Sequence, residues 1–219
     1  MVIAQFPPLE SADHNGLLAV GGDLEVESLI LAYRSGIFPW PVYQDGPIPW
    51  FAPPKRAVLF LKDFHVPRSL RRLRTKMTYS FAFNRDFSQV IRQCSSVGNR
   101  SEGERTWITP QVIAAYTELH RLGYCHSVEC YDGSELIGGL YGVSIGLMFA
   151  GESMFHKQEN ASKLCLCALV DHLREREVEW IDCQQMTPLF ESFGAVEIER
   201  AEFMKLLEPA VNTNVKLFN

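Results

Sequence analysis

The stretch from His126 to Gln184 constrains the fold more than any other part of the chain. It reads as a strand to Tyr131, the hairpin turn Asp132-Gly133, a second strand from Glu135 to Val143, a turn near Gly146 and a third strand from Leu147 to Phe155. A helix is predicted from about Asn160 to Arg174, with Leu166, Leu169, Val170 and Leu173 on one face, followed by a strand from Val178 to Gln184. Three antiparallel strands, a crossover helix and one more strand specify a mixed sheet with helices packed on it, an α+β layer fold. Further helices are predicted upstream, over Asn84 to Cys94 and over Thr109 to Gly123. The second has a capping threonine, a proline at its first position and a terminal glycine.

The first sixty residues have a different texture. Asp23 suits the N-cap of a helix that turns Leu29, Ile30 and Tyr33 inward and stops at Gly36. In the segment GIFPWPVYQDGPIPWFAPPKR that follows, six prolines preclude long regular structure, and Phe38, Trp40, Trp50 and Phe51 demand packing partners. The expected organisation is a small N-terminal domain over residues 1–62 and a larger one over 63–219. The chain of 219 residues, 47% hydrophobic, is long enough for both. No run approaches the roughly 18 to 20 apolar residues of a membrane span, and MVIAQFPPLE lacks the basic and apolar regions of an export signal, so a cytoplasmic protein is expected. Six cysteines without a C-x-x-C pair read as reduced thiols.

Charge is unevenly placed. Between Lys55 and Lys76 stand eight basic residues and one acid, a local charge of +7 in a chain of net −5. If Pro67 opens a helix, Arg68, Arg71, Arg72 and Lys76 share one face while Leu70, Leu73 and Met77 share the other. Such a stripe is either a solvated face or a grip on a polyanion, and its concentration in an otherwise acidic chain favours the grip.

Several motifs drop out. Gly146 and Gly151 have P-loop spacing, but Glu152 stands where a P-loop has lysine and would repel a triphosphate. Gly138-Gly139-Leu140-Tyr141-Gly142 lies inside a strand and marks a bulge or a close backbone approach. The histidines lack metal-site spacing, so no metal is expected. Two carboxylates remain: Glu152 within LMFAGESMF, and Asp182 within VEWIDCQ, where alternation aims Asp182 and Gln184 to one face. An acid in so apolar a setting is paired or functional. The structural alternatives are Lys157 or Lys163 for Glu152 and a backbone cap for Asp182. Trp107, just before the helix at Thr109, either stacks on a nucleobase or staples that helix.

Seven strings resemble one family, in order and over nearly the whole chain: NGLLAVGGDL (15–24), AYRSGIFPW (32–40), RTWIT (105–109), GGLYGV (138–143), GESMF (151–155), ENASK (159–163) and IDCQ (181–184). They resemble the bacterial leucyl/phenylalanyl-tRNA–protein transferases. The resemblance implies a GNAT-like acyltransferase domain, preceded by a small N-terminal domain. It implies transfer of Leu or Phe, and less well Met, from aminoacyl-tRNA to proteins with N-terminal Arg or Lys, which then enter N-end rule degradation. By position in the matched strings, Asp182, Gln184 and Glu152 are the expected catalytic residues, and Trp40 and Trp107 hold the 3′-terminal adenosine. The resemblance further implies that Leu140, Phe149, Met154 and Ile181 line the aminoacyl pocket. Asp182, oriented through Gln184, is expected to assist deprotonation of the attacking amine, while Glu152 pairs with the acceptor's first side chain. The basic stripe Arg68, Arg71, Arg72 and Lys76 is expected to grip the tRNA by its phosphates. Aminolysis of an ester already activated by tRNA requires no cofactor; the oligomeric state is not fixed by the sequence, and a monomer is favoured. One departure is Thr187, where the family commonly has asparagine. The competing readings are a CoA-dependent N-acetyltransferase, disfavoured by the absence of glycine in HKQENASK, and a non-catalytic RNA-binding module.

Overall fold

The computed structural model describes residues 2–43, 46–96 and 107–218. At its centre lie β6 (Cys125–Asp132), β7 (Glu135–Ile145) and β8 (Met148–His156), joined by tight turns and paired antiparallel. Helix α5 (Ala161–Arg174) then crosses over to β9 (Trp180–Gln184), which runs parallel to β8. This is the mixed sheet that the sequence predicts. Flanking strands extend it among the described residues to seven: β5 (Ser80–Phe83) beside β6, and β4 (Lys55–Phe60) and β10 (Val196–Glu199) beyond β9, in the order β10-β4-β9-β8-β7-β6-β5. A smaller sheet is formed by β1 (Leu17–Val20), β2 (Phe38–Pro39) and β3 (Pro49–Phe51).

Each face of the large sheet carries its own apolar core. Helix α5 covers one, bringing Leu164, Leu166, Leu169, Val170 and Leu173 against Val128, Leu140 and Ile181. Its first turn approaches β7 closely because Gly138 has no side chain: a Cβ there would lie 2.6 Å from that of Ala161. The other face is covered by α3 (Phe87–Ser96), α4 (Pro110–Arg121), α7 (Arg200–Val211) and the N-terminal elements, including α1 (Val26–Arg34). Trp50 and Phe38 are sealed in this second core, which answers the demand of the aromatic, proline-rich segment for partners. The caps expected for α4 are present: Thr109 Oγ1 accepts from Val112 N, and Pro110 opens the helix.

Four local expectations are corrected. Asp23 does not cap α1, whose N-cap is Glu25; instead its Oδ1 accepts from Glu25 N at 3.0 Å and from the Ser28 hydroxyl at 2.6 Å, shaping the approach to the helix. Helix α3 starts at Phe87 rather than Asn84, because Asn84 adopts φ +59° and ends β5. Helix α2 (Arg68–Lys76) buries Leu70 but leaves Met77 43% exposed, since Met77 is already extended backbone past the helix end. Residues 55–60, grouped with the N-terminal segment on composition, pair with β9 and β10 inside the large sheet.

A run of stacked rings joins β5, β6 and α5 to the segment after α7. Phe218 lies 4.2 Å from His126 and 4.8 Å from His172, centroid to centroid, both stacked. His126 is held in its neutral form: the Asn84 amide donates to Nδ1 at 3.0 Å, and Nε2 donates to Gly123 O at 3.1 Å. Burial pushes the His126 ring down to about 4, with neighbouring His120 and His172 acting in the same direction. A depressed folded-state value means that stability is intact above pH ~6.5 and is lost as pH falls toward that of the buried ring. Urea midpoints measured from pH 7 to 4 are expected to fall by the equivalent of up to about 3 kcal/mol. His126→Phe is expected to flatten the slope, and an unchanged slope would remove His126 from the account.

Candidate active site

Strands β8 and β9 pair at a single position, Ala150 with Asp182, and diverge beyond it. A cavity of about 320 Å³ occupies the fork, a size that suits a small organic group. Its apolar wall contains Leu140, Phe149, Met154 and Ile181, with Leu166 and Leu169 from α5. Trp40 and Trp107 also line it, so the structure brings together all six residues expected to bind substrate. Trp40 is braced edge-on by Phe51 at 6.1 Å. Arg105 and Thr106 of the RTWIT string lie outside the described residues.

Glu152 reaches this cavity through a break in the ladder. Tyr141 pairs with Ser153 and Gly142 with Gly151, so Glu152 is the extra residue of a β-bulge, a device that re-aims one side chain. Neither Lys157 nor Lys163 is its partner. The Tyr33 hydroxyl donates to Oε1 at 2.6 Å and Gln184 Nε2 donates to the same oxygen at 2.8 Å. Tyr33 in turn shares a 2.6 Å hydrogen bond with the Tyr116 hydroxyl. Burial pushes the Glu152 carboxyl up to about 8, outweighing the Tyr33 and Gln184 hydrogen bonds that hold it down, and the Asp182 charge adds to the rise. Glu152 is therefore largely protonated at neutral pH, with both protein donors on one oxygen.

Asp182 is placed differently from the expectation. It is 2% exposed, does not line the cavity and is not capped by backbone alone. Its two oxygens receive Arg56 Nε at 2.8 Å and Nη2 at 2.7 Å, a bidentate pair. Arg56 also donates to Gly36 O at 3.1 Å and lies 4.6 Å from both the Phe38 and Phe203 ring centroids. Asp182 Oδ1 further accepts from Gln184 N at 2.8 Å. That bond holds Gln184 at φ +60°, a left-handed conformation that is unusual for a non-glycine residue. The strand alternation therefore breaks at Gln184, and its amide turns toward Glu152. Arg56, Asp182, Gln184 and Glu152 form one chain of contacts, of which the last two reach the cavity.

The basic stripe is where the sequence places it. Arg68, Arg71, Arg72 and Lys76 are all exposed on α2; Arg71 donates to Val66 O at 3.3 Å, and Arg74 pairs with Asp171. Arg56 does not belong to that surface, being sealed under the sheet. Thr187 lines the cavity and caps the short helix α6 (Pro188–Ser192), its Oγ1 accepting from Phe190 N at 3.3 Å.

A bulged, protonatable carboxyl thus stands on the wall of an apolar cavity that two tryptophans also line. The family model described as leucyl/phenylalanyl-tRNA protein transferase matches residues 58–208. The model of its N-terminal domain matches residues 22–54. The chain belongs to the leucyl/phenylalanyl-tRNA–protein transferase family. It is 50% identical to the leucyl/phenylalanyl-tRNA–protein transferase of Syntrophobacter fumaroxidans, over 92% of this chain and 86% of that protein. It is 49% identical to that of Syntrophotalea carbinolica, over 94% and 88% respectively. Among solved structures it is similar to a ribosomal-protein-alanine N-acetyltransferase from Brucella melitensis, with a TM-score of 0.32 and 15% identity over 46% of this chain and 76% of that one.

For a transferase of this family, the residues that sequence reasoning missed are Arg56, Tyr33 and Tyr116. Arg56 was hidden in a basic run, and Tyr33 was legible as inward-facing but not as a donor to a carboxyl 119 residues away.

Proposed function

We propose that this chain transfers Leu or Phe, and less readily Met, from aminoacyl-tRNA to the N-terminal Arg or Lys of acceptor proteins, marking them for N-end rule degradation. The observation that carries the reading is the apolar cavity with Glu152 on its wall. In this reading, Leu140, Phe149, Met154 and Ile181 receive the aminoacyl side chain, Trp40 and Trp107 hold the terminal adenosine by stacking, and Arg68, Arg71, Arg72 and Lys76 bind tRNA phosphates. An apolar pocket excludes charged side chains well and separates Leu from Phe poorly, which suits a dual substrate range. The protein acts in the cytoplasm, where charged tRNA is found, and as a monomer, since each chain carries a whole cavity.

In the reaction, the acceptor's α-amine forms a bond to the ester carbonyl carbon, the bond to the ribose oxygen breaks, and one proton passes from nitrogen to that oxygen. Holding amine and ester together removes most of the cost of a bimolecular encounter. Burial holds the Glu152 carboxyl well above the ordinary carboxylate range, toward that of the ordinary α-amine at roughly 7.7 to 8.0, which suits it to take a proton from such an amine. Asp182 is paired with Arg56 and stands off the cavity, whereas Glu152 lines it, so in this reading Glu152 in its ionised form takes the proton. A carboxyl that keeps its proton at neutral pH is a weak partner for the acceptor's guanidinium. Asp182 is a positioning residue, holding Gln184 and through it Glu152.

Charged and uncharged tRNA separate this reading from a non-catalytic RNA-binding module. Leu-tRNA is expected to outcompete the same tRNA without its amino acid, and equal affinity would favour the module. The Arg71→Ala/Arg72→Ala variant is expected to lower the slope of log affinity against log salt by about 1 to 2. An unaltered slope would make the stripe a solvated face.

A further inference from the structure

We propose that Phe218, which lies outside the cavity, fixes the depth of the cavity and so the size of aminoacyl side chain that is accepted. The proposal rests on reading the cavity as the aminoacyl site. Phe149 forms part of the apolar wall and is 1% exposed. It has two backings. One is the β7 backbone at Gly142, where a Cβ would lie 2.5 Å from the tip of the Phe149 ring. The other is Phe218, whose ring centroid is 5.8 Å from that of Phe149 at an interplanar angle of 48°.

Phe218 has little freedom to yield. Its ring is stacked between His126 and His172, at interplanar angles of 16° and 20°, with Phe83 tilted against it at 6.1 Å. The backbone is tied as well: His172 Nε2 donates to Leu217 O at 2.9 Å. His126 is anchored through both ring nitrogens to Asn84 and Gly123. Packed interiors transmit such constraints, because side chains are held in place by neighbours and not by springs. While Phe218 stays clamped, Phe149 cannot recede from a bulky guest. Phe218 touches Phe149 without lining the cavity, so without that ring a void opens beside Phe149 into which the wall can move.

The test compares kcat/KM for transfer of Leu with that for p-methoxyphenylalanine, each carried on tRNA, to one peptide with N-terminal Arg. Phe218→Ala is expected to shift the ratio roughly tenfold toward the bulkier side chain, and Phe218→Leu to shift it less in the same direction. A general loss of stability would lower both rates together and leave the ratio alone. The wild-type ratio in either folded variant overturns the proposal, and so does failure of both variants to fold, which would make Phe218 a stability element. If the wild-type protein transfers neither Leu nor Phe, the aminoacyl reading of the cavity fails, and the proposal with it. Leu transfer with an unmoved ratio removes the Phe218 assignment alone.

Discussion

Arg56→Met is expected to cost about 3–5 kcal/mol of folding stability, read as a fall in the urea midpoint, because it strands the Asp182 carboxylate in the core. The magnitude follows from the geometry. Arg56 and Asp182 are each 2% exposed and joined by two charge-assisted hydrogen bonds, so neither can turn to water when the other is removed. The penalty belongs to the orphaned charge more than to any large net value of the pair. The double variant Arg56→Met/Asp182→Asn is therefore expected to recover much of the stability, since it removes both charges. A double variant as unstable as the sum of the two single ones would contradict this. Function is expected to separate from stability in the same cycle. Asp182→Asn, assayed where it is folded, is expected to lose turnover more than tRNA affinity, because Gln184 loses the carboxylate that holds its left-handed backbone. Comparable loss of both would make Asp182 a purely structural residue.

Glu152→Gln is expected to lower kcat about 10²- to 10⁴-fold, the ordinary range for loss of a general acid or base, while leaving the fold intact or firmer. The two effects have opposite signs for one reason. Burial raises the Glu152 carboxyl to about 8, so it contributes stability that is full below the ordinary carboxylate range and is lost as pH rises through the folded-state value. Glutamine has no proton to lose, and its relative advantage in thermal midpoint is expected to grow from pH 6 to 9. The rate behaves inversely. In the wild-type protein kcat/KM is expected to climb with pH as both the α-ammonium group and Glu152 lose their protons, and in the glutamine variant the climb becomes shallower because the amine alone remains. A variant that keeps its rate and its full pH dependence would return Glu152 to a packing role.

The parts of this molecule that were legible in the sequence are those whose signals are local. Thr109, Pro110 and Gly123 mark α4 at both ends, and the turns at Gly133 and Gly146 set the three antiparallel strands. The glycines of GGLYG read correctly as close approach and bulge, and the bulge is the one that presents Glu152. Strands β5 and β10 escaped notice for a physical reason: four residues each, mostly exposed, at the edges of the sheet, they have no buried alternation to betray them. Strand β4 was obscured by the prolines before it. The fate of Arg56 was illegible because composition weighs it with a surface stripe, whereas its partner lies 126 residues further along the chain. Alternation aims Asp182 and Gln184 to one face, but the left-handed turn at Gln184 breaks it: the Asp182 carboxylate accepts from its backbone N–H and Glu152, 32 residues away, accepts from its side-chain amide, and neither bond leaves a periodicity.

In the proposed reaction, Glu152 and its cavity join an aminoacyl ester to a basic N-terminus. The most direct measurement uses the purified protein, tRNA charged with labelled Leu or Phe, and two peptides differing only in an N-terminal Arg or Ala. Label on the Arg peptide, absent from the Ala peptide and lost with Glu152→Gln, is the predicted result. No transfer by a folded protein that binds the charged tRNA, or equal labelling of both peptides, would contradict it.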